Sequence, residues 1–317
     1  MKNKNTYILS LFLVFAFFAT AQKGAKMQKL KELEKNIQIE ESNVVGLKKD
    51  NEAHIIWSDD YKYKKSPIAF VYLHGFGASY AEGEPVMSQL STHFKANTYM
   101  ARLEEHGIYR DNTFENLTPE NYIASAKQAI AYGKQLGDEV IVISTSTGGT
   151  LSLAIAAEDK DIKALVLYSP FIDLLNPAMK AVIQPGGKEQ FIKALGGTMQ
   201  VQKRPELEAK YWSTNYHING YISLITMLTN TMTTETFSKV TCPVFLGYYY
   251  KNEEEQDKVV SVPAMQVMFN ALGTPEEDKT KMAFPRSGNH VIASDIRSKD
   301  WEGVYLNTVD FLNKIIK

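Results

Sequence analysis

The sequence is short of cysteine: Cys242 is the one thiol in 317 residues. An internal disulfide is therefore excluded, and the fold must rest on its apolar core. The chain also lacks charge of a dominant sign. Lysine and arginine number 35 against 36 for aspartate and glutamate, a formal net charge of −1. That balance gives no global basic field for nucleic acid and no acidic excess of the kind that keeps chains unfolded. No repeat at solenoid period is present. The apolar run Ile8–Phe18 falls short of the roughly 20 residues that a membrane-spanning helix needs.

That run has another use. Lys2 and Lys4 precede it, and Ala19-Thr20-Ala21 follows it before Gln22. A positive start, a short apolar stretch and an Ala-x-Ala site predict a signal peptide over residues 1–21, cleaved after Ala21. A periplasmic or secreted mature chain is expected. No cysteine stands at the cleavage point, so a lipid anchor is excluded and no stable membrane anchor is expected.

With 44% hydrophobic residues, the chain can bury one large core carrying an insertion. Residues 22–42 are charge-rich and helix-prone and read as a solvated leader helix or linker. Residues 43–57 read as two strands around a polar turn. The runs "IAFVYLHG", "VIVIS", "ALVLYSP" and "PVFLGYYY" then suit strands buried on both faces of a parallel sheet. Helical stretches separate them. Thr118 caps one, with Pro119 at its first position and Gly137 past its end. The last carries Trp301, Tyr305, Val309, Leu312 and Ile316 at helical spacing. This alternation predicts an α/β fold, a doubly wound and mostly parallel sheet. Its core spans 43–171 and 241–317, and 172–240, without a strand-like run, forms an inserted helical cap. A set of ordinary crossover helices is the alternative for that stretch.

Chemistry concentrates after the strands. "STSTGG", residues 144–149, follows a buried strand and opens a helix. Strand–Ser–helix is the context of a nucleophile elbow, whose usual form is Gly-x-Ser-x-Gly. The turn is tight, so the residues two before and two after the nucleophile must be small. Around Ser146 these are Ser144 and Gly148, whereas around Ser144 they would be Val142 and Ser146. Ser146 is the candidate nucleophile; the bland reading is a helix cap without chemistry. A serine needs a base, and the base needs an acid to hold its tautomer. In this architecture the order is Ser, acid, His. Only His217 and His290 follow Ser146, and His290 lies just after a last strand, in "SGNHVI". The acid should leave the preceding strand, where Glu253, Glu254, Glu255 and Asp257 compete. Asp257 precedes the apolar pair Val259-Val260, which can pin the loop, and Asp173 is its rival. Backbone N–H groups of Thr147 and of Phe76, within "LHGFGAS", would stabilise an oxyanion. His74 reads as a structural hydrogen-bonding residue.

"HGFGAS", "STSTGG", "DKVV" and "SGNHVI" occur in the order and contexts of the α/β-hydrolase superfamily. Over roughly residues 66–317 the chain resembles its capped carboxylesterase and monoacylglycerol-lipase-like branch. The resemblance implies a Ser146–His290–Asp257 triad, Phe76 and Thr147 as oxyanion donors, no cofactor, no metal and a small-molecule ester substrate. Two departures stand out: Ser144 replaces the first motif glycine, and Glu105 in "RLEEHG" replaces the first glycine of that branch's Leu-x-Gly-His-Gly. Ester hydrolysis on short- to medium-chain acyl groups is the first expectation. A prolyl-aminopeptidase-like peptidase, using Glu189, Glu206 or Glu208 of the cap to read an amino terminus, is the second. A catalytically silent binding protein is the third.

Overall fold

The computed structural model describes residues 26–316; the expected signal segment, 1–21, lies outside them. The chain opens with helix α1 (26–42). Then come β1 (His54–Ile56), β2 (Ser66–Leu73), α2 (Val86–His93), β3 (Asn97–Met100), α3 (Pro119–Leu136), β4 (Gly137–Thr145), α4 (Thr147–Ala156) and β5 (Ile162–Tyr168). After β5 follow α5 (Gly187–Leu195), β6 (Met199–Val201), α6 (Glu206–Tyr211), β7 (Asn215–His217), α7 (Ile218–Thr231) and α8 (Thr234–Lys239). The chain closes with β8 (Val244–Tyr248), α9 (Val262–Ala271), β9 (Lys279–Ala283) and α10 (Trp301–Ile315).

Seven strands form one sheet in the order β1-β3-β2-β4-β5-β8-β9. Only the edge strand β1 runs antiparallel to its neighbour; the other pairings are parallel. Alternation along each strand builds two cores. Val71 and Leu73 of β2, with Val142, Leu165 and Leu246, pack on the side of α1, α3, α4, α7 and α9. Phe70 and Tyr72, with Ile141, Val166 and Phe245, pack on the side of α2 and α10. Each such side chain taken out of water contributes roughly 1.5–3 kcal/mol. This two-sided burial is why the strands read as unbroken apolar runs.

Helix α3 begins as its sequence demands. Thr118 Oγ1 accepts the Asn121 N–H at 3.1 Å, and Asn121 Oδ1 accepts the Thr118 N–H at 2.8 Å. Gly137 serves as a contact glycine, not as a left-handed cap: its φ is −137°, and a Cβ there would lie 2.4 Å from Ala69 N. Strand β4 therefore starts directly from the helix.

Three expectations need correction. Residues 26–42 are not a solvated leader, because Leu30, Leu33 and Ile37 share a helix face buried in the core. Glu34 of that helix accepts Trp57 Nε1–H at 2.7 Å and the Tyr63 hydroxyl at 3.0 Å. Glu41 of the same helix pairs with Arg102 at 2.7 Å and accepts the Ala53 N–H at 3.0 Å. Residues 43–57 hold one strand, not two. Gly46 and Asp50 take positive φ, and Lys48 turns away to donate to the carbonyls of Ala209 and Trp212 at 2.6 and 2.9 Å. The segment between β5 and β8 is mostly helical, but it also contains the ribbon β6–β7, antiparallel and three residues per strand. Strands that short leave no apolar run to read.

Candidate active site

The chain order reverses between β2 and β4, which are sheet neighbours although β3 lies between them in sequence. Ligands in open α/β sheets bind beyond the carboxyl ends of strands at such a switch point. The loop leaving β2 carries Phe76, and the turn leaving β4 carries Ser146. The loops leaving β8 and β9 carry Asp257 and His290.

Ser146 sits at φ 53°, ψ −117°, a conformation that non-glycine residues rarely adopt. Holding it there costs on the order of 1–3 kcal/mol. Its N–H donates to Tyr168 O at 3.0 Å, and its carbonyl accepts from Gly149 and Phe171, each at 2.9 Å. The turn is closed by contact. A Cβ on Gly148 would lie 2.0 Å from Leu73 O, and one on Gly75 would lie 2.9 Å from the Ser146 Cβ. Ser144 belongs to β4, in register with Leu73 and Leu167 and fully buried. A serine fits the upstream position because that site lies inside the sheet, where the backbone is ordinary and a small polar side chain can donate to Val166 O, here at 3.4 Å.

His290 Nδ1 lies 2.6 Å from Asp257 Oδ2, and both side chains are buried. The other Asp257 oxygen accepts the N–H groups of Val259 at 2.8 Å and Val260 at 3.1 Å. Burial alone would raise the Asp257 carboxyl, but the His290 charge and these hydrogen bonds hold it below the usual carboxylate value. Burial likewise opposes the charged form of His290, but Asp257 overrides it and raises the imidazole above its ordinary 6.5. The acidic loop folds back on itself, with a bridge between Tyr250 and Gln256. Asn252 Oδ1 accepts the Glu254 and Glu255 N–H groups at its tip, and Glu253–Glu255 face solvent. The returning arm delivers Asp257. Of the apolar pair, Val260 is buried but Val259 is 58% exposed, so one residue does the pinning. Asp173 lies beside this arm, its carbonyl accepting the Ser261 N–H at 3.2 Å, but its carboxylate pairs with Lys180 at 2.8 Å and not with His290.

Ser146, Thr147, Phe76 and His290 line one cavity of about 680 Å³. Among the described residues, neither the Phe76 nor the Thr147 N–H has an acceptor. The loop that presents Phe76 is held from behind. His74 Nε2 accepts the Leu103 N–H at 3.1 Å, which fixes the proton on Nδ1, where it is shared with Gly75 O at 2.9 Å. Burial pushes His74 down to about 4, so it stays neutral. Glu105 occupies its motif position at φ 61°. Its carboxylate pairs with Arg110 and accepts the Phe114 N–H at 3.0 Å, anchoring the following loop.

No protein-family model matches the chain. It is 21% identical over 240 residues to a thermostable monoacylglycerol lipase of Bacillus sp. strain H-257, covering 75% of this chain and 88% of that one. Among solved structures it resembles a metagenome-derived lipolytic enzyme of the LipS and LipT work, with a TM-score of 0.66 at 16% identity, over 84% of this chain and 99% of that one. A monoacylglycerol lipase of Paleococcus ferrophilus aligns with a TM-score of 0.59 at 14% identity, over 82% and 97% of the two chains. The ferulic-acid complex of Est1E from Butyrivibrio proteoclasticus aligns with a TM-score of 0.55 at 19% identity, over 84% and 95%. The chain has the α/β-hydrolase fold, and its sequence is distantly similar to that of a monoacylglycerol lipase.

Several cavity residues carry no sequence motif. Glu82 is buried on the cavity wall and accepts the Gly75 N–H at 2.5 Å. Burial pushes its carboxyl up to about 7. Arg204, Trp212, Tyr216, Tyr221, Leu224 and Ile225 reach the cavity from the segment between β5 and β8. Met227 and Leu228, on the same helix α7, pack instead into the core. Among the described residues no group of three or more His, Cys, Asp or Glu could hold a metal ion, and no helix is long and apolar enough to cross a membrane.

Proposed function

We propose that the protein hydrolyses carboxylic esters through an acyl-enzyme, with Ser146 as nucleophile, His290 as base and Asp257 as the acid that orients it. The observation that carries this reading is the 2.6 Å hydrogen bond between Asp257 and His290, on a cavity that the strained Ser146 also lines. Asp257 holds the proton on Nδ1, which leaves Nε2 free to take the serine proton as Oγ attacks the ester carbonyl. The oxyanion forms beside the Phe76 and Thr147 N–H groups. His290 returns the proton to the leaving alcohol, and water then repeats the sequence to release the acid.

Short- to medium-chain acyl groups suit the cavity. Its volume is in the small-molecule range, and Phe171, Leu174, Met179, Leu224 and Ile225 supply an apolar lining. The peptidase alternative needs an acidic receptor for an ammonium group. Glu189 and Glu206 are exposed and do not line the cavity, Glu208 is already paired with Arg297 at 3.0 Å, and Glu82 on the wall is buried and accepts the Gly75 N–H. The test is a panel of p-nitrophenyl esters from acetate to palmitate beside aminoacyl anilides. Turnover of the acetate-to-octanoate esters, with anilides inert, is expected. Faster cleavage of prolyl anilide than of any ester would overturn the reading.

A further inference from the structure

Two arginines line the cavity that ester hydrolysis leaves without a task. Arg204 stands between β6 and α6, and Arg297 follows His290 on the loop before α10. Arg204 Nε donates to Ser213 O at 2.9 Å, and its Nη2 donates to Gln202 Oε1 at 2.6 Å and to the Tyr216 hydroxyl at 3.2 Å. Arg297 Nη1 donates to Glu208 Oε1 at 3.0 Å, and its guanidinium lies 5.6 Å from the centre of the Trp212 ring. The other Glu208 oxygen is 3.8 Å from Arg204 Nη1. One carboxylate thus serves two guanidinium groups whose side chains are only 14% and 27% exposed. Arg297 Nε is buried and has no hydrogen-bond partner among the described residues.

The remaining charges do not restore the balance. Lys258 lines the same cavity and adds a further cation. Glu82 is the other carboxylate on the wall, and its burial leaves it only partly ionised near neutral pH. Lys48, behind the arginines, is pushed down to about 8, first by burial and then by the charge of Arg204. Two half-buried guanidinium groups that share one carboxylate are under-compensated, and a purely apolar acyl chain in the cavity they line would leave them so. The planar fork of arginine matches a carboxylate in two-point contact.

We propose that Arg204 and Arg297 form a subsite for a carboxylate on the substrate, so that the ester cleaved is anionic, as in the half-ester of a dicarboxylic acid. This rests on the ester reading and narrows it. The experiment compares 4-nitrophenyl hydrogen adipate with its neutral methyl ester. The wild-type kcat/KM ratio is expected to favour the acid by about tenfold or more, the equivalent of one charged hydrogen bond. Arg297→Gln and Arg204→Gln should each bring the ratio towards one, and Arg297→Lys should retain part of it. Because each ratio is taken within one protein, loss of folded enzyme cancels. A wild-type ratio of one or less, or a ratio unchanged in both glutamine variants, overturns the proposal. A second measurement does not depend on turnover: calorimetric titration of Ser146→Ala protein with monomethyl adipate. Saturable binding that Arg297→Gln abolishes supports the subsite, and absence of binding overturns it. If neither ester is cleaved, the ester reading fails by itself while the titration still decides the subsite.

Discussion

Ser146, Asp257 and His290 reach the cavity from the ends of β4, β8 and β9, whereas Arg204, Tyr216 and Ile225 reach it from the segment between β5 and β8. The first group follows parallel strands: backbone bonds tie Ser146 to Tyr168 and Asp257 to Tyr249, and Asp257 in turn holds His290. The second group is placed by packing between pieces distant in sequence: the Tyr216 ring stacks on Phe114 at 5.4 Å and on Tyr221 at 5.8 Å. The proposed mechanism therefore assigns chemistry to the sheet, and choice of substrate to the segment laid over it. Breaking the first group should remove turnover for every substrate. Changing the second should reorder substrates.

The largest effect is expected at the nucleophile. Ser146→Ala should lose turnover by up to the order of 10⁶, as triad serines do when removed alone. Ser144→Gly should stay active, because Ser144 is a strand residue whose hydroxyl only meets Val166 O. Steady-state rates on one ester decide this, and inactivity of a folded Ser144→Gly protein would contradict the assignment.

Next comes the acid. Asp257→Asn keeps the shape but favours the wrong histidine tautomer, with an expected loss of about 10⁴. Asp173→Asn should cost far less, since Asp173 is occupied by Lys180. The pH profile gives the same answer by another route. Asp257 raises His290 above 6.5, so activity should fall away below a limb that lies above that value. Removing the negative charge destabilises the imidazolium, so the Asp257→Asn limb should move to lower pH. An unmoved limb would separate Asp257 from the base.

These residues were legible in the sequence for a physical reason. A nucleophile elbow demands small residues at fixed spacing, and chain order fixes which histidine and which acid can follow. The acid loop was harder to read, because Glu253–Glu255 resemble Asp257 in composition and differ only in facing solvent. Helix α1 is expected from composition but its burial is not, because three buried apolar residues in a charged stretch carry little periodic signal. Glu82, Arg204 and Arg297 were not readable at all. Their neighbours come from distant parts of the chain, and no local spacing encodes that meeting.

Smaller effects sharpen the comparison within helix α7. Ile225→Trp, on the cavity wall, should shift chain-length preference by about tenfold towards shorter acyl groups. Leu228→Ala, three residues on and 1% exposed in the core, should cost about 2–5 kcal/mol of stability without reordering the esters. Thermal melts and the ester series together distinguish the two. If both variants only lose stability, that helix is packing and not pocket. The smallest effect is at Glu82→Gln. The Glu82 charge helps to raise His290, so its removal should move the acid limb to lower pH by less than Asp257→Asn does.

The measurement that meets the central claim most directly is covalent labelling with a fluorophosphonate, read by peptide mass mapping. One adduct on Ser146, lost in both Ser146→Ala and folded His290→Ala protein, is the predicted result. Labelling at another serine, or none in a protein that hydrolyses esters, would contradict the account.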